Sequence, residues 1–156
     1  MKGLYKIDTQ DVYETYRFIV SKGSDTFLQP RKRKAPDQYD WKDENGVEYD
    51  LADPTFEPRT LQLEGTIEGS DELDFQLKWN AFKTLWQLGG ARQIEAIEIG
   101  ETVLVFCEQF QQTERLTRMK GGNKVYVKVA LTLKEVIDPF FDTLIIDTTT
   151  VDIIFP

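Results

Sequence analysis

The chain has 156 residues, enough for one domain with its own core, and 40% of them are hydrophobic, which is typical of folded proteins. Nineteen Lys and Arg stand against 27 Asp and Glu, giving a formal net charge of −8. Proteins that bind nucleic acid usually carry an excess of cations, because much of their affinity comes from neutralising phosphates. The charge balance therefore argues against sequence-specific binding of nucleic acid.

The residue types that are missing exclude several kinds of site. The chain has no histidine, so a Ser-His-Asp triad, a Cys-His dyad and any His-ligated metal site are excluded. The single cysteine, Cys107, lies in the apolar run TVLVFCEQF, where we expect a small buried hydrophobe and not a nucleophile. The acidic stretch DQYDWKDENGVEYD does not match the ligand spacing of an EF-hand loop. We therefore predict no catalytic residue, no cofactor and no metal site.

Neither a signal peptide nor a membrane span is predicted. The first residues, MKGLYKIDTQDVYETYRF, contain no apolar core of signal-peptide length. No stretch is both long and apolar enough to cross a bilayer. We expect a soluble protein that is made in a reducing compartment and has no membrane partner.

The first predicted elements are two short strands, LYKI and YRFIV, followed by a long proline-rich loop at about residues 28–58. The four prolines in this loop prevent a continuous helix, and Asn45-Gly46 is typical of a hairpin turn. A connection of this length is either functional or disordered in the isolated chain.

A cationic block opens the long loop. Arg31, Lys32, Arg33 and Lys34 are followed closely by Trp41 and several carboxylates, which would repel the phosphates of a nucleic acid. Two interpretations stay open: a solvated loop, or a contact to an acidic surface such as another copy of this acidic protein. In the second case the five named residues are the candidate subunit-contact residues, and the loop orders only on assembly.

The next predicted elements are a strand and a helix. In TLQLEGTIEG, Leu61, Leu63, Gly65 and Ile67 alternate with polar residues, which predicts a strand with one buried face. The following segment predicts one helix at about residues 71–88, capped by Ser70 or Asp71 and ended by Gly89-Gly90. Its predicted apolar face includes the following residues: Leu73, Leu77, Phe82, Leu85, Trp86 and Leu88, widened by Phe75 and Trp79. Phe75, Trp79, Phe82 and Trp86 are candidates either for the core or for contact with a neighbouring subunit.

The rest of the chain predicts more strands. Two strands turn near Gly100, and a second hairpin turns at Gly121-Gly122-Asn123. The last arm of that hairpin places five apolar residues on one face: Val125, Val127, Val129, Leu131 and Leu133. The C-terminal TLIIDTTTVDIIFP is strongly β-prone and must be covered by this sheet or by another subunit. The expected fold is a single domain over residues 1–156, mainly β, either a β-sandwich or a partly closed barrel, with one flanking α-helix at about 71–88.

The order of these features resembles a known family. A strand pair precedes a long loop with WKDENGVEYDL and then FEPRTLQLEGTI, after which come one aromatic-rich helix with WNAFKTL, a glycine stop and a hairpin series. This order, over roughly residues 4–136, resembles the small tail proteins of long-tailed bacteriophages and prophages, of the distal-tail or tail-tube kind. Distal-tail proteins often carry a second, C-terminal domain, for which these 156 residues leave no room.

The resemblance implies a non-catalytic virion protein of the tail tube, the distal hub or the tail-completion region, made in the bacterial host cytoplasm. It implies a homo-oligomer, typically a hexameric ring, with other tail proteins as partners and a channel through which DNA passes. A net charge of −8 suits such a wall, because a weakly repelling lumen lets the genome slide. Two other classes stay open: a β-sandwich module that stacks sugars on Tyr39, Trp41 and Tyr49, and a glycoside hydrolase that uses a pair of carboxylates.

Overall fold

The computed structural model describes residues 2–137, and the predicted C-terminal strand in TLIIDTTTVDIIFP lies outside them. The strands run in the following order: β1 (Tyr5–Ile7), β2 (Gln10–Asp11), β3 (Phe18–Lys22), β4 (Gln38–Tyr39), β5 (Glu48–Tyr49), β6 (Thr60–Gly69), β7 (Arg92–Ala96), β8 (Glu101–Arg115) and β9 (Val125–Glu135). The helical segments are α1 (Val12–Tyr16), a 3-10 helix (Ser24–Leu28) and α2 (Glu72–Gln87). Neither α1 nor the 3-10 helix was predicted from the sequence.

Seven of the strands form one antiparallel sheet in the order β2-β1-β7-β8-β9-β6-β3. The order has two ends, so the sheet is not a closed barrel. The other two strands, β4 and β5, form a separate two-stranded ribbon. The prediction of a mainly β fold with one main flanking helix is confirmed.

The centre of the sheet follows the predicted alternation. On β6, Leu61, Leu63, Gly65 and Ile67 are buried, and the intervening residues are exposed or half-buried. The five apolar residues predicted for one face of β9 are all buried. Pairing along the full length of β6 and β9 places these two apolar rows side by side, so they form the floor of the core.

Helix α2 covers that floor. Asp71 caps the helix by accepting a hydrogen bond from the Asp74 backbone N–H at 2.8 Å, so the predicted bounds of 71–88 agree with the structure to within one residue. Phe75, Phe82 and Trp86 are buried. The Phe82 ring contacts the rings of Phe18, Trp86 and Phe110.

One part of the predicted apolar face of α2 is wrong. Leu73 and Leu77 are 69% and 65% exposed, and Leu88 is also exposed. At 100° per residue these leucines fall on the side of the helix opposite Phe75 and Phe82. Apolar residues therefore lie on two opposite sides of α2, and only the aromatic side packs on the sheet.

Gly69 permits the close approach of α2 to β6. A Cβ at Gly69 would lie 2.6 Å from Phe75 Cα and 2.7 Å from Phe75 N, closer than packed atoms approach. The glycine at the end of β6 thus allows the first turn of α2 to lie directly on the strand.

The two predicted hairpins are present. The β7–β8 turn contains Gly100 with a φ of +79°, and Ala96 O accepts from the Gly100 N–H at 2.8 Å. The β8–β9 connection contains Gly121 and Gly122, both at positive φ. Glycine tolerates this left-handed backbone, which explains why both turns were visible in the sequence.

Candidate assembly surface

The predicted proline-rich loop is a two-stranded ribbon that we call the arm, residues 29–59. Its outgoing and returning chains are joined by backbone hydrogen bonds from Glu57 N to Lys32 O, from Lys34 N to Thr55 O and from Asp50 N to Asp37 O, each of 2.8 Å. The β4–β5 pair continues the ribbon toward a tip that contains Asn45-Gly46, with Gly46 at a φ of +100°. The arm therefore has a regular ribbon geometry, and the expectation that it orders only on assembly stays a prediction.

The arm has almost no core of its own. All its residues are exposed except Arg31, Pro36 and Arg59, which are half-buried. Tyr39, Trp41 and Tyr49 are each more than half exposed. The Trp41 indole N–H donates to the Glu48 carboxylate at 2.9 Å, which fixes the ring across the ribbon. The arm therefore presents aromatic surface that nothing in the described chain covers.

The two ends of the arm, which together we call its root, are bound to the sheet through one carboxylate. Glu135 ends β9 on its buried face and is only 3% exposed. It accepts two hydrogen bonds from the Arg31 guanidinium, at 2.9 and 3.1 Å, and two from the Arg59 guanidinium, at 3.1 and 3.3 Å. Because Arg31 lies on the outgoing chain and Arg59 on the returning chain, Glu135 holds both ends of the ribbon.

Arg59 extends this anchor to the 3-10 helix and to the first residue of the arm. Its Nη1 donates to Phe27 O at 2.9 Å and to Gln29 O at 3.0 Å, and its backbone N–H donates to Glu135 at 3.1 Å. Phe27 is fully buried in the 3-10 helix. The anchor is thus continuous with the hydrophobic core.

The electrostatics of Glu135 follow from these contacts. Burial alone raises the pKa of a carboxyl group, but the hydrogen bonds from Arg31 and Arg59 outweigh it and lower the pKa of Glu135 to about 2. Glu135 is therefore ionised at neutral pH, and the pair of cations compensates its charge.

The structure divides the predicted cationic block. Arg31 faces Glu135, whereas Lys32, Arg33 and Lys34 are exposed along the arm. Lys32 lies 3.7 Å from the Glu57 carboxylate, and Arg33 Nη2 donates to Leu51 O at 3.4 Å. Arg31 is thus an anchor, and the other three cations are on the surface.

The candidate residues of α2 lie apart from the arm, on the face that packs against the sheet. Phe75, Phe82 and Trp86 are buried, and Trp79 is half-buried against Phe110 with ring centroids 5.4 Å apart. This placement is that of core residues.

Sequence reasoning missed Glu135 and Arg59. The signal was present: Glu135 continues the odd-numbered buried row of β9 after Leu133. A carboxylate on the dry face of a strand requires a cationic partner, which points to an arginine elsewhere in the chain. Only the tertiary structure identifies which arginines supply it.

Comparison with solved structures gives a likeness of fold. The structure is similar to the crystal structure of the SPP1 Dit protein (gp 19.1), a paradigm of the hub adsorption apparatus in phages that infect Gram-positive bacteria, with a TM-score of 0.55 and 16% sequence identity. The match covers 85% of this chain and 49% of that one, so this chain spans about half of the Dit protein. No family model and no curated protein matches the sequence. At this identity the likeness establishes the fold.

Two further observations concern the described residues alone. No helix among residues 2–137 has the length and apolar character needed to cross a membrane. Within the same range, no three His, Cys, Asp or Glu side chains are grouped so that they could hold a metal ion.

Proposed function

We propose that this chain is a non-catalytic structural subunit of a bacteriophage or prophage tail, whose copies assemble as a ring in the tail tube, the distal hub or the tail-completion region. The observation that carries the proposal is the anchored arm: a ribbon with exposed aromatic residues, joined to a fold like that of a phage hub protein. In this role the subunits would lie in the virion tail, and their ring would enclose a channel for DNA.

The charge distribution of the arm supports contact between copies. Lys32, Arg33 and Lys34 lie near its root, whereas Asp40, Asp43, Glu44 and Glu48 lie near its tip. A ring is built from head-to-tail contacts between two different patches, and opposite charges on those patches favour one register. The root of one arm and an acidic surface of the next copy form such a pair.

The alternative, a sugar-binding module, has weaker support. In the β4–β5 pair, Tyr39 is opposite Glu48, and Tyr49 is opposite Gln38. Opposed residues share a face and successive residues alternate, so Tyr39 and Tyr49 lie on opposite faces of the ribbon. The two rings do not form one stacking platform.

The test replaces Lys32, Arg33 and Lys34 together with Ser and keeps the anchor residue Arg31. A matched control replaces Arg115, Arg118 and Lys120, which are exposed around the β8–β9 connection, and changes the net charge by the same amount. Sedimentation velocity over a range of protein concentrations measures the species formed at moderate salt.

We expect the wild type and the control to form the same closed oligomer, and the arm variant to shift toward monomer. Two outcomes contradict the proposal: a wild type that stays monomeric at every concentration, or an arm variant whose profile equals that of the control. Melting curves in the presence of oligosaccharides test the sugar-binding alternative, which predicts a glycan-dependent increase in Tm.

A further inference from the structure

An open cleft lies where helix α2 ends and the described part of the chain leaves β9. Its volume is about 470 Å³, and its lining includes Leu88 after the helix, Arg92 on β7, Phe106 and Cys107 on β8, and Val136 just past β9. Leu88 and Phe106 are both exposed. The cleft therefore has apolar walls that residues 2–137 leave open to solvent.

The two glycines that follow α2 keep the cleft open. Gly89 and Gly90 line it, and a Cβ added to either would meet no described atom within 4 Å apart from its chain neighbours. Gly90 has a φ of +87°, a backbone conformation that favours glycine. The stop of the helix thus leaves room for a side chain beside the walls formed by Leu88 and Phe106.

The described part of the chain ends at this cleft. The Val136 N–H donates to Leu104 O at 2.7 Å, which fixes Val136 beside β8. The Val136 side chain is half-buried and lines the cleft, and the described range ends one residue later, at Ile137. The residues that follow in the sequence, 138–156, are therefore attached to the cleft's own wall.

The sequence after Val136, IDPFFD, places an aromatic pair within reach of the cleft. Pro139 holds its own φ at about −65° and restricts Asp138 to extended conformations. In an extended chain residues at i, i+2 and i+4 share a side, so we expect Phe140 on the side of Val136 and Phe141 on the opposite side. One residue advances the chain by at most about 3.6 Å, so the Cα atoms of Phe140 and Val136 lie within about 14 Å of each other.

Charge does not oppose this occupant. Among the described residues that line the cleft, Arg92 is charged and no carboxylate is present; Arg92 is paired with Asp8 at 3.2 Å. Residues 138–156 contain four Asp and no Lys or Arg. No like charge therefore repels this segment from Arg92, whereas a basic segment would be repelled.

Attachment to the same chain selects the occupant. A segment that begins at the cleft is held there at an effective concentration in the millimolar range or above, whereas a separate partner loses translational and rotational freedom on binding. An aromatic ring placed between Leu88 and Phe106 removes apolar surface of all three residues from water. Phe140 of the same chain therefore has an advantage over any free ligand of equal hydrophobicity.

We propose that Phe140 of the same chain occupies the cleft at the end of α2, packing between Leu88 and Phe106 beside Cys107. Residues 138–140 then cover the open end of the helix. The β-prone segment 143–156 starts from a fixed position on the sheet, which sets the direction in which it meets its own sheet or a neighbouring subunit. This inference stands whether or not copies of the chain form a ring.

The first experiment uses Cys107, the single cysteine of the full chain, as a probe of the cleft. The rate at which its thiol reacts with 5,5′-dithiobis(2-nitrobenzoate) is measured at one pH for the folded wild type and for Phe140→Ala. Phe141→Ala is the matched control, because it removes the same ring one position away. We expect Phe140→Ala to increase the rate about tenfold and Phe141→Ala to change it by less than about twofold. Phe140→Leu, which keeps an apolar side chain, should restore most of the protection.

The second experiment identifies which chain supplies the ring. Phe140→Cys and Phe141→Cys are each oxidised with glutathione disulfide at low protein concentration, and the products are separated by non-reducing electrophoresis. A disulfide forms readily only where the two Cα atoms approach within about 7 Å, so we expect position 140 to be linked to Cys107 in the same chain at least tenfold faster than position 141. This comparison stays valid if Phe140→Ala unfolds, because an unfolded chain would not distinguish positions 140 and 141.

Three results would overturn the proposal. One is an equal rate of Cys107 modification in Phe140→Ala and Phe141→Ala, and another is an equal rate of disulfide formation from positions 140 and 141. The third is a disulfide-linked dimer as the main product of Phe140→Cys, because a second copy would then supply the residue that fills the cleft.

Discussion

The arm and the sheet differ in what holds them together. The sheet and α2 bury two long apolar rows under a cluster of aromatic rings, so they are stabilised mainly by removing apolar surface from water. The arm buries none of its large apolar side chains and depends on a backbone ladder and on one carboxylate at its root. The contrast indicates that the described sheet and α2 share a hydrophobic core, whereas the arm is an exposed surface attached to them.

Glu135 is where the two regions meet. One buried side chain on a core strand fixes both chains of the arm, so the direction of the arm is set by the sheet and not by the arm itself. Changes in the core, at the junction and at the tip should therefore have effects of very different size.

The largest effect is expected in the core. Replacing Phe82, which is fully buried, with Ala should lower the free energy of unfolding by about 4 kcal/mol, because it removes ring contacts and leaves a cavity. Urea denaturation measures the change. Leu77→Ala on the exposed side of the same helix is the control and should change stability by less than about 0.5 kcal/mol. Equal losses for both variants would show that α2 packs differently.

The junction should come next. Glu135→Gln preserves the size of the side chain but leaves Arg31 and Arg59 without their anion, which should cost about 3 kcal/mol. Hydrogen exchange should then increase at both ends of the arm while the centre of β9 stays protected. A stability loss with unchanged exchange at the arm root would contradict the role of Glu135 as an anchor.

Acid should act on the same contact. The pKa of Glu135 in the folded chain is about 2, below the ordinary value of 4.5, so its stabilising contribution is complete above pH 4.5 and is lost as the pH falls through 2. The shift corresponds to about 3 kcal/mol at most. Denaturant titrations at intervals between pH 5 and 2 measure the loss, and the Glu135→Gln variant should show a correspondingly flatter dependence. Parallel curves for the two proteins would exclude Glu135 as the source.

The smallest effect on folding should come from the tip of the arm. Trp41→Ala removes an exposed ring and one hydrogen bond, and we expect a change in unfolding free energy of less than about 0.5 kcal/mol. If the arm joins copies, the same variant should still weaken self-association in sedimentation experiments. A large loss of stability would mean that the tip packs against the chain's own core.

Local periodicity explains most of what was predicted correctly. The alternation on β6 and β9, the bounds of α2 and the glycine turns all depend on residues within a few positions of each other. The buried face of α2 was harder to predict, because apolar residues lie on two opposite sides of the helix and only the position of the sheet selects Phe82 over Leu77. The predicted single domain and the proposed contacts of the arm stay predictions.

The sequence by itself determined the mainly β fold, the single main helix, the hairpin turns and a long proline-rich loop in which a cationic block precedes an anionic one. Only the tertiary structure decided that Arg31 belongs to an anchor and Lys32 to the surface, and that residues 107–115 of β8 pair with β9 alone among the described strands. The physical reason is distance along the chain. Arg31 and Glu135 are 104 positions apart, and no local pattern specifies which buried carboxylate a given arginine will meet.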